Sequence, residues 1–240
     1  MKLFLPIVLL NALLTVAGFS SSAWASPKAL IYQGPGSCTE DCSKAFWDIA
    51  KNAGFEPVYV GPEDPAPDTF TGAAVWIQPG GYAGQAMGAM SANLKTAIRD
   101  FVKNGGGYVG TCAGAFVATA KVGTTRTNGL GIFPGGTKLY GKGIDQKQIT
   151  WNGSVRSIYW EGGPYLRNLP TTGDQAVETV ATYTNGAVAA ARARYGKGRV
   201  FITGVHPEAP QWWKDSAHIT DPDGDDFDLT AGMIHWAAGY

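Results

Sequence analysis

Gly110-Thr111-Cys112-Ala113-Gly114 is the stretch that most restricts how this chain can fold. The apolar, aromatic pair Tyr108-Val109 leads into it, and the small, helix-prone run Ala115 to Ala120 leads out. A strand that turns at once into a helix through G-x-C-x-G reads as a nucleophile elbow, the thiol counterpart of G-x-S-x-G. The flanking residues must be small for the backbone to turn that sharply. The sulfur then sits at a helix N-terminus, where the macrodipole and free N–H groups favour thiolate over thiol. The pentapeptide alone leaves a second reading open, a buried structural cysteine at a strand end.

The segments before the elbow alternate between strand and helix signals. Lys28 to Gln33 predicts a short buried strand, followed by a Gly34-Pro35-Gly36 turn. Asp41 to Ala53 predicts a helix, with Ala45, Phe46, Ile49 and Ala50 at helical spacing and Gly54 as its stop. Glu56 to Val60 and Ala73 to Gln78 predict two more strands, the second ending in Pro79-Gly80-Gly81. Ser91 is the expected N-cap of a helix running to Lys103, with Leu94, Ile98, Phe101 and Val102 as its apolar stripe. This β-α-β-β-α-β-α order implies a doubly wound, mostly parallel sheet. In such sheets ligands bind outside the carboxyl ends of the strands. The Gly34–Gly36 turn, the Pro79–Gly81 turn and Cys112 all fall at that edge.

Residues 1–25 read as a leader rather than as part of the fold. Lys2 supplies a positive start, Leu3 to Val16 is apolar, and Ala23-Trp24-Ala25 is an A-x-A cleavage site before Ser26. The apolar run is too short to span a bilayer stably, and no later stretch is expected to cross one. The expectation is an exported protein, periplasmic or secreted, with 26–240 as a single domain. Lysine plus arginine (19) balances aspartate plus glutamate (19), so neither nucleic acid nor an anionic membrane surface is the expected partner.

Three cysteines in an oxidising compartment leave at least one unpaired. Cys38 and Cys42 are close enough in sequence to bridge, so a Cys38–Cys42 disulfide with Cys112 free is the simplest assignment. An exported free thiol is a liability unless it is used or deeply buried, which favours a functional Cys112.

A thiol nucleophile needs a base, and the base needs a group that fixes its tautomer. Arg199 to Gly204 predicts a strand, and it runs into Val205-His206-Pro207-Glu208. His206 with Glu208 two residues on supplies both groups from one segment. His218 falls in a polar loop and His235 inside the final helix, Leu229 to Ala238. Gly80 and Gly81 could bring N–H groups near a reacting carbonyl, and with Ala113 N–H would form an oxyanion hole. Taken alone, Pro-Gly-Gly reads as an ordinary tight turn.

The middle, from about 122 to 172, is rich in glycine and hard to read, apart from a strand over Ser154 to Trp160. Gln175 to Tyr183 and Ala187 to Tyr195 predict strands of a meander. Trp151, Tyr159, Trp160 and Tyr165 read as core, with a pocket wall as the alternative. Asp221 to Asp228 has the acidity of a calcium loop, but Gly224 is misplaced and no glutamate closes it, so it reads as an acidic surface loop. No metal or cofactor is expected.

Gly110 to Gly114 together with His206-Pro207-Glu208 resembles the class I glutamine amidotransferase-like superfamily. The closer resemblance is to the N-terminal domain of eukaryotic-type biotin–protein ligases. It is carried by Ile31 to Gly36, Gln78 to Gly81, Gly110 to Ala115, Tyr159 to Pro164 and Gly204 to Glu208, and by the ending around Asp223-Gly224 and Ile234 to Ala237. The resemblance implies a flavodoxin-like α/β/α fold and a Cys112–His206–Glu208 triad. It also implies an oxyanion hole at Gly81 and Ala113, and substrate contacts at Tyr32, Gly80, Tyr159, Glu161 and Gly162. Ala113 departs from the protease–deglycase branch, which usually carries histidine after the nucleophile. Nothing resembles the biotin-adenylating domain, so biotin ligation is not expected.

The leading expectation is a thiol hydrolase of a small-molecule or peptide amide, of glutamine or γ-glutamyl type, with no partner protein identified. The alternatives are a non-catalytic binding module on the same scaffold, and a redox protein exchanging Cys112 with Cys38 or Cys42.

Overall fold

A computed structural model describes residues 25–240. All but the last residue of the expected leader therefore lies outside the described residues. The first half alternates as anticipated: β1 (Lys28–Tyr32), α1 (Lys44–Asn52), β2 (Glu56–Val60), β3 (Ala73–Gln78), α2 (Ala83–Ala89), α3 (Ala92–Lys103), β4 (Gly107–Thr111) and α4 (Ala113–Ala118). A single π-turn over Thr39–Ser43 precedes α1, where a continuous helix was expected from Asp41. Helix α2 was not anticipated. The Ser91 hydroxyl caps α3 as expected, accepting from Leu94 N–H at 2.9 Å.

The second half is β5 (Gly136–Leu139), β6 (Ile144–Trp151), β7 (Ser154–Glu161), β8 (Pro164–Arg167), β9 (Glu178–Tyr183), β10 (Val188–Tyr195), β11 (Gly198–Thr203), α5 (Gln211–Ser216) and α6 (Phe227–Ala238). One sheet runs β2-β1-β3-β4-β11-β10-β9-β6-β7, with β8 and β5 joined beside β10. Pairing is parallel from β2 through β11 and antiparallel from there outward.

The parallel strands alternate between two apolar faces, which is why helices cover both. Leu30, Trp76, Tyr108, Val200 and Ile202 meet Met87, Leu94, Ile98 and Val102 of α2 and α3. Ile31, Val75, Ile77, Val109 and Phe201 meet Phe46 and Ile49 of α1 and Met233 and Ile234 of α6. The result is a three-layer α/β fold. Among the described residues no helix is long and apolar enough to cross a membrane.

The acidic 221–228 loop is held by the protein's own cations. Buried Lys214 bonds Asp221, Asp225 and the Gly224 carbonyl; Arg156 of β7 bonds Asp226 and Asp228; Asp223 accepts from Ser157 N–H. Asp221, Asp223, Asp225, Asp226 and Asp228 thus each have a partner within the protein.

Candidate active site

Cys112 stands between β4 and α4 with φ +47° and ψ −104°, a conformation that L-residues avoid. Its N–H donates to Thr203 O of β11 at 2.9 Å, which ties the turn to the neighbouring strand. The flanking glycines are dictated by close approach. A Cβ on Gly114 would lie 2.0 Å from Gln78 O, and one on Gly110 would lie 2.6 Å from the Gly114 backbone. Tyr108 Oη donates to Gly114 O at 2.8 Å beneath the turn.

His206 lies just past the end of β11, its N–H donating to Tyr159 O of β7 at 2.8 Å. The ring is 4% exposed. Nδ1 is 2.9 Å from Oε1 of fully buried Glu208, and Thr111 Oγ1 donates to the same oxygen at 2.8 Å. A carboxylate accepts, so Nδ1 donates to Glu208 and Nε2 is the ring nitrogen left to take and give a proton. Tyr159 and Trp213 pack edge-on against the ring, and a Cβ on Gly80 would come within 2.6 Å of its Cε1. Burial by itself would lower the pKa of His206. The Glu208 and Cys112 charges override it and hold the ring well above the usual histidine value.

Cys112 and His206 line one cleft of about 1090 Å³ at the carboxyl edge of the parallel strands. The thiol donates to Glu161 O at 3.4 Å, while His206 Nε2 is buried and takes no partner among the described residues. Gly81, with φ +128°, also lines the cleft, and α4 begins at Ala113. Among the described residues no acceptor takes either N–H. A Cβ on Gly81 would meet Gly36 O at 2.4 Å, so glycine is required there. Cys38 N–H to Gly80 O and Tyr82 N–H to Gly36 O zip this turn to the Gly34–Ser37 turn.

Cys38 pairs with Cys42 and Cys112 is free, as anticipated and against the thiol-exchange reading. Cys42 Sγ, His206 and Glu208 approach one another within 4.8 Å, but the disulfide removes the thiolate a metal would need.

Of the expected substrate contacts, Tyr159, Glu161 and Gly162 line the cleft. Tyr32 does not: it is fully buried, and its hydroxyl donates to Pro35 O at 3.0 Å, bracing the Gly34–Gly36 turn. Gly80 is packed beneath the His206 ring, where its role is to leave room rather than to touch a ligand. Trp151 and Trp160 are core, as read. The sequence reading missed Asp41, Tyr82, Trp212 and Trp213 in the cleft wall and Thr111 behind Glu208. Thr111 lies inside the pentapeptide itself, and the adjacent tryptophans follow His-Pro-Glu after Ala209-Pro210-Gln211, so both signals were present in the sequence.

Residues 28–135 match the family model described as biotin-protein ligase, N terminal. Over 162 residues the chain is 30% identical to the biotin–protein ligase of Schizosaccharomyces pombe, covering 56% of this chain and 25% of that one. It thus spans about a quarter of the length of this curated relative. Among solved structures, a glutamine amidotransferase superposes with a TM-score of 0.62 at 18% identity, covering 87% of this chain and 99% of the other. PurLQS from Thermotoga maritima superposes at 0.61 with 20% identity, covering 87% and 97%. The fold is therefore glutamine amidotransferase-like.

Proposed function

We propose that this homologue of biotin–protein ligase, built on a glutamine amidotransferase-like fold, is an exported cysteine-dependent hydrolase of amides. The observation that carries the reading is the strained Cys112 turn opening on the same cleft as the buried, unpartnered Nε2 of His206. The thiol proton passes to His206 Nε2, and the sulfur attacks the amide carbon. Gly81 and Ala113 N–H receive the charge that develops on the carbonyl oxygen. His206 then gives its proton to the departing amine, and a thioester remains on Cys112. Water, deprotonated by His206, cleaves the thioester to release the acid. Glu208 holds the ring by Nδ1 throughout, with Thr111 fixing the carboxylate.

The test is the alkylation rate of Cys112 against pH in the chain from Ser26 and in His206→Ala. The expected outcome is rapid alkylation persisting well below the free-cysteine pKa of about 8.5 and lost in the variant. A slow thiol indifferent to His206 would move the assignment to a binding module. Export is tested by amino-terminal sequencing of the mature protein, with Ser26 as the expected first residue.

A further inference from the structure

The charged side chains lining the cleft, His206 aside, are Asp41 and Glu161, both exposed and both acidic. No lysine or arginine lines it among the described residues. The Glu161 backbone carbonyl accepts the Cys112 thiol, which sets this residue beside the sulfur. Tyr159 Oη donates to Glu161 Oε2 at 3.3 Å. Burial, then the charge of Glu161 and its hydrogen bond, hold that hydroxyl above its ordinary pKa, and Asp41 and Glu161 line the same cleft. The buried, unpartnered His206 Nε2 belongs to the same cavity.

We infer that the substrate is an amide whose acyl portion carries a free ammonium group near the scissile carbonyl and no free carboxylate. This rests on Cys112 being the acylated sulfur. An ammonium group would be drawn to the Asp41–Glu161 wall, whereas the carboxylate of a free amino acid would meet two like charges and no cation. A cleft of about 1090 Å³ exceeds what a single amino acid fills. Phe116, Leu139, Ile144 and Trp212 offer apolar wall for the rest of the ligand, as an aminoacyl amide or an amino-terminal peptide would require.

The probes are methanethiosulfonates bearing an ethylammonium or an ethylsulfonate group, which modify the free thiol without needing turnover. Rates at Cys112 are scaled to those of free cysteine. The cationic reagent is expected to be favoured by about tenfold, with the preference shrinking as salt screens the wall. In the double variant Asp41→Asn, Glu161→Gln the ratio should fall to near one, with an unchanged melting temperature. Should that variant unfold, Glu161→Gln alone is expected to reduce the ratio. Aminoacyl anilides with a free ammonium group should then be cleaved in preference to their N-succinyl forms. Equal reagent rates, or a preference surviving in the variants, would overturn the inference. Charge selection combined with a thiol indifferent to His206→Ala would sink the hydrolase, and the amide substrate with it, leaving only a cleft that selects cations.

Discussion

Three small residues decide where the reactive atoms stand. Gly114 lets the elbow approach Gln78, Gly81 lets the Pro79–Gly81 turn approach Gly36, and Gly80 lets the His206 ring settle beside the disulfide. A methyl group at Gly80 would overlap His206 Cε1 at 2.6 Å, and the ring, packed by Tyr159 and Trp213, has little room to move. Gly80→Ala is therefore expected to abolish the His206-dependent part of Cys112 alkylation. The melting temperature should fall by only a few degrees, as about 1 kcal/mol of local strain implies. Alkylation and thermal unfolding of the same preparation check both halves. At this scale the sequence was readable wherever a chemical residue stood within two positions of glycine or proline at a strand end, as Cys112, His206 and Glu208 do. It misled at Tyr32, where proximity to an active-edge turn hid the fact that strand alternation sends this side chain into the core.

Elements with a clear period were legible and those without one were not. Helix α3 has both a capping serine and a continuous stripe. Ser91→Ala should cost about 1 kcal/mol in urea unfolding and leave Cys112 reactivity unchanged, because α3 packs away from the cleft. Strand β6, Ile-Asp-Gln-Lys-Gln-Ile-Thr-Trp, buries only Ile149 and Trp151 and exposes Ile144, so no alternation announces it. Helix α2 is seven residues with two glycines, too short and too interrupted for a helical stripe to emerge. Between elements, Asp226 joins the start of α6 to Arg156 of β7. Burial pushes its carboxyl up to about 6 against the pull of Arg156, with Asp223 adding to the rise. A raised carboxyl contributes stability below its ordinary 3.8 and loses it as pH climbs through about 6. The melting temperature of the wild type relative to Asp226→Asn should therefore fall from pH 4 to pH 6 and level off above.

Over the whole molecule, the parallel half of the sheet carries the elbow and the His-Pro-Glu turn, while the antiparallel half supplies Tyr159, Glu161 and Gly162 to the same cleft. The order of layers followed from the first half of the sequence. Of the antiparallel extension, β7, β9 and β10 were legible as strands, whereas β5, β6 and β8 were not, being short or polar along most of their length. The two ends of the described chain share the edge remote from that cleft. Lys28 opens β1 there, Tyr240 packs edge-on against Phe55 just ahead of β2, and Ala237 abuts Gly107 at the start of β4. A parallel strand of five residues separates the two edges by about 16 Å. Anchored to a surface through either end, a chain starting at Ser26 would hold its opening outward. Cys112 should then be alkylated at the rate of the untethered protein, which makes both ends usable handles for immobilising it.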